Sequence, residues 1–157
     1  MKKYILPIAL LFCAAVFMTG CGSTNIKFDL NRVEGPKFNS EVDAKNKPIF
    51  LAFMATYCGY CKMSVPMVNE INAKYADKGL VVLGVFSDDM PGGPAVYLAE
   101  NGVKYTSLYN GGQLSEECLV NGVPHFVLLN KNHNIVRVWT GYSPNHNFEE
   151  YIERVIK

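Results

Sequence analysis

The stretch Phe50-Leu51-Ala52-Phe53-Met54-Ala55-Thr56-Tyr57-Cys58-Gly59-Tyr60-Cys61-Lys62 decides how this chain folds. Its first part is a continuous apolar run, which is typical of a strand buried on both faces of a sheet. Behind the second cysteine, apolar side chains recur at every fourth position, which predicts one face of a helix. These positions are Met63, Met67, Ile71 and Tyr75. The stretch therefore predicts a buried strand that passes directly into a helix.

Cys58 and Cys61 stand where the predicted strand passes into the helix. Unpaired backbone N–H groups and the helix dipole favour negative charge at a helix N-terminus, so a thiolate at Cys58 is stabilised there. The thiolate is the form that attacks disulfides. Cys61 lies one helical turn further on, where it is placed to resolve a mixed disulfide. The pair therefore predicts a redox-active dithiol with Cys58 as the nucleophile.

A Cys-x-x-Cys pair is also half of many zinc sites, and this alternative depends on the remaining ligands. Structural zinc normally takes a second pair or a Cys/His partner at short spacing. The other candidate ligands are single and scattered: Cys13, Cys21, Cys118, His125, His133 and His146. Their spacing disfavours zinc. We expect no metal, and no cofactor beyond a redox-active disulfide between Cys58 and Cys61.

Residues 53–62, with Pro66 five residues after the second cysteine, resemble the active-site segment of the thioredoxin superfamily. The segment is most similar to the TlpA/ResA-like branch of membrane-tethered, extracytoplasmic thioredoxins, and the resemblance covers nearly all of the chain after Cys21. It implies an α/β fold, a thioredoxin-like three-layer sandwich with a central mixed β-sheet flanked by helices. It also implies an enzyme, a thiol-disulfide oxidoreductase.

Residues 1–20 carry the pattern of a lipoprotein-type signal peptide. A basic start, Met1-Lys2-Lys3, precedes an apolar run at residues 5–18 that is shorter than the roughly 20 residues needed to span a bilayer. Small residues surround Cys21, and the resemblance implies that Cys21 becomes the acylated first residue of the mature protein. A secretory peptide cut nearby and an uncleaved anchor over residues 4–20 are the alternatives. All three predict export.

The rest of the chain divides into a tether and lead-in at residues 21–45, where the resemblance implies a small hairpin, and a thioredoxin-like domain at residues 46–157. The formal net charge of +1 gives no excess of basic residues for a polyanion, so nucleic acid is not expected as a partner. Export places the cysteine pair in an oxidising compartment. We expect a monomer at the extracytoplasmic face of the membrane.

Periodicity predicts the elements that follow the first helix. They are a buried strand at residues 80–86, a helix at 95–101, a strand at 105–109, a helix at 113–120, a hairpin of strands at 126–130 and 135–140, and a last helix with Phe148, Ile152, Val155 and Ile156 on one face. We interpret Asp88 and Asp89, in the loop after the second buried strand, as solvated carboxylates and not as a metal site.

Gly122-Val123-Pro124 is the second informative stretch. Because proline cannot donate to a sheet ladder, Pro124 must lie at the start of a strand or on an edge. Local sequence does not indicate a cis bond. The thioredoxin superfamily, however, has a cis-proline after a Gly-apolar dipeptide, facing the active-site disulfide. The resemblance therefore implies a cis Val123–Pro124 bond and a client-docking role for these two residues.

The chain departs from the family pattern at three positions around the expected site. Ala52 stands where thioredoxins usually have a buried Asp, Ser64 where the ResA-like branch often has Glu, and Met54 where Trp is usual. These departures remove the proton relay that the family would supply. His125 is a candidate acid or base, since histidine titrates near neutral pH. The alternative is a strand histidine packed against Phe126.

Gly59-Tyr60 lies between the cysteines, where TlpA/ResA-like proteins usually carry a Pro before the second cysteine. The pair resembles that of the periplasmic disulfide isomerase DsbC, and Tyr60 is a second residue that we expect to assist exchange. Cys118 has no evident partner, and we interpret it as a buried thiol that packs as a small hydrophobe.

Together with the resemblance, these patterns predict a membrane-tethered extracytoplasmic oxidoreductase. The resemblance implies that it reduces disulfides of exported proteins, for example in cytochrome c maturation. The resemblance implies a membrane thiol reductant of the DsbD/CcdA type as the electron donor. A disulfide oxidase or isomerase is an alternative. A copper metallochaperone of the Sco type is another, although its cysteines are spaced one residue further apart. A peroxiredoxin is a third, but Ala55 stands where its Thr is required.

Overall fold

The computed structural model describes residues 25–87 and 93–157. The expected signal segment at residues 1–20, the expected acylation site Cys21, and Asp88 and Asp89 lie outside the described residues. The strands are β1 Asp29–Arg32, β2 Phe38–Asn39, β3 Ile49–Met54, β4 Val81–Phe86, β5 Thr106–Tyr109, β6 His125–Leu129 and β7 Ile135–Thr140. The helices are α1 Ser40–Asp43, α2 Gly59–Tyr75, α3 Gly93–Asn101, α4 Gly112–Glu117 and α5 Phe148–Ile156. Within these ranges, no helix has the length and apolar character needed to cross a bilayer.

The strands of the described residues form one mixed, seven-stranded sheet in the order β2-β1-β5-β4-β3-β6-β7. β3 pairs in parallel with β4 and antiparallel with β6. All six residues of β3 are buried, as its unbroken apolar run predicts for an interior strand. The expected central mixed sheet flanked by helices is therefore confirmed.

Side chains of β3 alternate between two hydrophobic clusters, one on each face of the sheet. Phe50 and Met54 belong to a cluster that also contains buried residues of α2, α3 and α5, which we call the α2-side core. Leu51 and Phe53 belong to a second cluster that contains buried residues of the N-terminal segment and α4, which we call the α4-side core. Covering both faces of the sheet produces the expected three-layer sandwich.

The last helix is held to the sheet by aromatic packing. The ring of Phe148 meets those of Phe50, Phe126 and Trp139 nearly edge-on, with centroid distances of 5.1, 5.1 and 4.8 Å. Ile152, one turn further along α5, is fully buried. The predicted apolar face of α5 is therefore the face that packs.

The buried face of α2 differs from the predicted one. Met63 is 53% exposed and Met67 is half-buried, whereas Ile71 and Tyr75 are buried as expected. The residues that α2 buries are Cys61, Ser64, Val65, Val68, Ile71 and Tyr75. A strict spacing of four drifts around a helix that has about 3.6 residues per turn, so the two ends of the predicted stripe lie on different faces.

The lead-in contributes to the sheet instead of merely preceding it. β1 begins at Asp29 and pairs antiparallel with β2, in the hairpin that the resemblance implies. β1 also pairs antiparallel with β5, which continues the sheet. Ile26, Phe38 and Ala44 are buried in the α4-side core. The lead-in is thus packed onto the domain that was expected to begin at residue 46.

Helix α4 is shorter than the predicted helix at residues 113–120. It ends at Glu117, and Leu119 has a φ of 55°, in the left-handed region. A right-handed helix cannot continue through that conformation. The chain leaves α4 here and turns toward the loop that precedes β6.

Gly111 provides a test of the packing between α4 and β4. Its N–H donates to the carbonyl oxygen of Phe86 at 3.0 Å, and a Cβ at this position would overlap Cγ1 of Val85. Because overpacking a buried contact is destabilising, we expect Gly111→Ala to lower the free energy of unfolding by about 1–3 kcal/mol in urea titrations. The neighbouring Gly112→Ala is the control, since a Cβ there meets nothing within 4 Å. Equal stability of the two variants would contradict this account of the packing.

Candidate active site

The chain from β3 to α2 places Cys58 at the start of the longest described helix. A turn closes where the Cys58 N–H donates to the Ala55 carbonyl at 3.1 Å. Cys58 then serves as the N-cap of the 17-residue α2, with extended backbone angles. Its sulfur accepts a hydrogen bond from the Cys61 backbone N–H at 3.2 Å. A helix N-terminus directed at sulfur favours negative charge on that sulfur.

The two cysteines differ in their access to solvent. Cys58 is half-buried and carries a thiol, whereas Cys61 is fully buried in the α2-side core. The Ser64 hydroxyl donates to the Cys61 carbonyl oxygen at 2.7 Å. Only the sulfur of Cys58 is therefore within reach of a large molecule, while Cys61 is held one turn behind it.

The loop before β6 closes over Cys58 from the other side. The Val123–Pro124 peptide bond is cis, in agreement with the resemblance. The Cys58 thiol donates to the Val123 carbonyl oxygen at a sulfur–oxygen distance of 3.6 Å. The Pro124 carbonyl accepts from the Gly141 N–H at 2.8 Å, which ties the loop to the end of β7. The structure thus brings together Cys58, Cys61, Val123 and Pro124, which the sequence places in two distant segments.

Two exposed tyrosines flank Cys58 in the sequence. Tyr57 is 83% exposed and Tyr60 is 64% exposed. The ring of Tyr60 stacks on that of Tyr142, with centroids 6.5 Å apart and an angle of 19° between the planes. Tyr142 was not predicted, because no local pattern after β7 distinguishes it. Only the fold brings it next to α2.

His125 follows Pro124 but lies on the opposite face of the sheet from Cys61. In β6 it alternates with Phe126, so it shares a face with Val127, a member of the α4-side core. Its Nδ1 is 3.2 Å from the Thr140 hydroxyl, and burial lowers the pKa of its imidazole. This placement gives no support to direct proton transfer between His125 and the cysteine pair.

Two buried tyrosines on the Cys61 side of the sheet were missed by sequence reasoning. Tyr97 of α3 and Tyr105, just before β5, both belong to the α2-side core with Cys61. The Tyr105 hydroxyl donates to the Met54 sulfur at 3.4 Å. Burial raises the pKa of both phenols, and the charge of Cys61 raises each of them further. An aromatic residue at helical spacing is usually assigned to the core, so the sequence offered no signal for a role near the sulfur.

Cys118 is separated from the pair by the sheet. It is 2% exposed and belongs to the α4-side core, in agreement with its interpretation as a buried thiol. Burial raises the pKa of this thiol to about 12, with a smaller contribution from Glu117. Such a thiol is almost entirely protonated at neutral pH and is a poor nucleophile.

A bound metal ion requires a set of several ligand side chains. In the part of the chain that the structure describes, no group of three or more His, Cys, Asp or Glu residues is arranged to hold a metal ion. His146, one of the scattered candidate ligands, directs its Nε2 to the Gly141 carbonyl oxygen at 2.9 Å. His133 places its Nε2 3.1 Å from the Ala44 carbonyl oxygen.

Comparison with known proteins identifies relatives of this chain. The chain is 24% identical to the thiol-disulfide oxidoreductase ResA of Bacillus thuringiensis subsp. konkukian, over 94% of this chain and 92% of the relative. A crystal structure from Chlorobium tepidum, of a protein assigned as the thiol:disulfide interchange protein DsbE, superposes with a TM-score of 0.79. That protein is 26% identical, and the match covers 87% of this chain and 97% of the other.

A thiol-disulfide oxidoreductase structure from Bacteroides vulgatus superposes with a TM-score of 0.71 at 28% identity, over 85% of this chain and 95% of that one. The Redoxin family model matches residues 23–155, which span both cysteines, the cis-proline loop and every described strand. The chain therefore has a thioredoxin-like fold and belongs to the Redoxin family.

Proposed function

We propose that this protein is a membrane-tethered, extracytoplasmic thiol-disulfide oxidoreductase that reduces disulfides of exported proteins through Cys58 and Cys61. One observation carries the proposal: a half-buried Cys58 thiol caps α2, accepts the Cys61 N–H, and has a fully buried partner cysteine one turn behind it. The names of the ResA and DsbE relatives support the same chemistry.

The exchange follows from the different exposure of the two sulfurs. The Cys58 thiolate attacks one sulfur of a client disulfide, forming a mixed disulfide while the client S–S bond breaks and the released client thiolate takes up a proton. Cys61 then loses its proton and attacks the Cys58 sulfur. The Cys58–Cys61 disulfide forms, the bond to the client breaks, and the second client sulfur leaves as a thiolate that takes up a proton from water. Two electrons pass from the cysteine pair to the client.

Val123 and Pro124 are proposed to dock the client. The Val123 carbonyl already lies against the Cys58 sulfur, so its backbone polar groups are placed beside the atom that the client must approach. An extended client segment that pairs with this backbone would present its sulfur to Cys58 in the manner of an added strand. Tyr60, two residues after Cys58 and stacked on Tyr142, supplies an exposed aromatic surface and would assist this contact.

The location and the electron source rest on the sequence and on family resemblance. Lipidation of Cys21 would tether the domain to the membrane at its extracytoplasmic face. A membrane thiol reductant of the DsbD/CcdA type would return the pair to the dithiol state after each turnover. Apocytochrome c is one client class that the resemblance implies.

The order of thiol reactivity follows from burial and from the helix N-terminus. Cys58 is half-buried, while Cys61 and Cys118 are 0% and 2% exposed. We expect iodoacetamide to label Cys58 of the reduced protein at least tenfold faster than either other cysteine, because the thiolate is the reacting form. Mass spectrometry of time-quenched samples at pH 7 measures the three rates. Equal labelling of Cys58 and Cys61 would exclude Cys58 as the nucleophile.

A client-trapping experiment tests the proposed activity. Cys61→Ser keeps the attacking thiol and removes the resolving one, so the mixed disulfide on Cys58 should accumulate and appear as a shifted, reductant-sensitive band. Cys118→Ser in the same background is the control, since Cys118 lies on the other face of the sheet and should not change the trapped band. The proposal fails if the wild-type protein does not reduce insulin disulfides and the Cys61→Ser variant traps no protein.

The anchor is tested separately from the chemistry. Cys21→Ser is expected to move the protein out of the membrane fraction or to leave it unprocessed, because the acylated thiol would be lost. Cys13→Ser, a change within the expected signal segment, is the matched control and should fractionate like the wild type. Normal processing and unchanged membrane association of Cys21→Ser would exclude lipidation at this residue.

A further inference from the structure

Tyr97 belongs to the α2-side core, which contains Cys61 and against which Cys58 packs. Its ring packs nearly edge-on against Phe86, with centroids 5.3 Å apart and planes at 70°. Phe86 is the last residue of β4 and pairs in register with Met54, the last residue of β3, from which the chain runs directly to Cys58. Tyr97 is 3% exposed and shares its cluster with the fully buried Cys61.

The hydroxyl of Tyr97 is buried and has no hydrogen-bond partner within the described residues. Burying an unpaired hydroxyl is unfavourable, and phenylalanine would fill the same space without that cost. Tyr105, in the same cluster, shows the usual solution, because its hydroxyl donates to the Met54 sulfur at 3.4 Å. A buried polar group without a partner calls for an explanation, and a redox or catalytic role is one explanation.

The charges of both cysteines act on the Tyr97 phenol. Burial raises the pKa of Tyr97, and the charges of Cys61 and then of Cys58 raise it further. Burial raises the pKa of Tyr105 as well, and the charges of Tyr97 and Cys61 raise it further. Cys61 of α2, Tyr97 of α3 and Tyr105 before β5 are thus the titratable groups that act on one another here. Tyr97 therefore remains a neutral phenol at neutral pH and is available as a donor.

Resolution of the mixed disulfide creates the partner that this hydroxyl lacks. When Cys61 gives up its proton, negative charge appears on a fully buried sulfur. Neither Ala52 nor Ser64 supplies the carboxylate that the family would place here, and the Ser64 hydroxyl is already directed to the Cys61 carbonyl oxygen. A hydrogen bond to the charged form of a buried group favours that form.

We propose that the Tyr97 hydroxyl donates a hydrogen bond to the Cys61 sulfur when that sulfur becomes a thiolate during resolution. This inference rests on the proposed function. The proton of the Cys61 thiol passes to the client thiolate released in the first step, and Tyr97 keeps its own proton throughout. The Cys61 thiolate then attacks the Cys58 sulfur, and the Cys58–client bond breaks. Tyr97 contacts the reacting atom without being consumed.

Single-turnover kinetics with one equivalent of 5,5′-dithiobis(2-nitrobenzoate) on the reduced full-length protein in detergent separates the two steps. Attack by Cys58 releases the first thionitrobenzoate, and resolution by Cys61 releases the second. Cys61→Ser, which should lack the second release, assigns that phase. For Tyr97→Phe, which retains the ring packing on Phe86, we expect the second phase to slow about tenfold at pH 7, the effect of losing one hydrogen bond to a charged group. Its pH midpoint should rise by about one unit.

Tyr75→Phe is the matched control. Tyr75 is also buried in the α2-side core, but its hydroxyl lies at the far end of α2, 3.2 Å from Glu153. We expect this variant to keep the wild-type second phase. The inference is overturned if Tyr97→Phe resolves at the wild-type rate, or if it slows with no shift of the pH midpoint, which is what a packing effect alone would produce. Absence of the second phase from the wild type would instead refute the proposed function.

Discussion

The structure depends on the junction between β3 and α2, where a buried strand ends and a helix begins with a cysteine as its N-cap. The Cys61 N–H donates to the Cys58 sulfur at 3.2 Å, so a backbone group that every helix leaves unpaired is satisfied by the reactive atom. The same bond orients the sulfur and favours negative charge on it. Because β3 is an interior strand that is buried along its whole length, this junction is anchored at the carboxyl end of the strand.

The second constraint is the alternation of side chains along the central strands. It divides the interior into an α2-side core, which contains Cys61, Tyr97 and Tyr105, and an α4-side core, which contains Cys118. The redox pair is thereby separated from a third thiol whose pKa burial raises to about 12. A protein that exchanges disulfides with clients benefits from this separation, because a second reactive thiol nearby would compete with Cys61 for the mixed disulfide.

Most elements could be predicted, since hydrophobic periodicity indicates which residues are buried on folding. β7 lies where it was expected, and β4, β5 and β6 lie within one residue of the predicted bounds. The errors arose where local pattern and tertiary packing disagree. Met63 fits the four-residue spacing of the predicted apolar face yet is exposed, because the face of α2 that packs against the sheet is the face that is buried. The helix after Gly111 ended early because Leu119 adopts a left-handed conformation that its sequence does not signal.

The sequence by itself determined the chemistry, because the spacing of Cys58 and Cys61 and the apolar run before them place two thiols at a strand-to-helix junction. Family resemblance added the cis bond at Val123–Pro124, which the structure contains. Only the tertiary structure decided the surroundings of the sulfurs. It brought the Val123 carbonyl against Cys58 and turned His125 to the other face of the sheet. It also placed the Tyr97 hydroxyl, which is unpaired within the described residues, in the α2-side core with Cys61. Local pattern cannot reveal such contacts, because they depend on the pairing of β3, β4 and β6 across long separations in the chain.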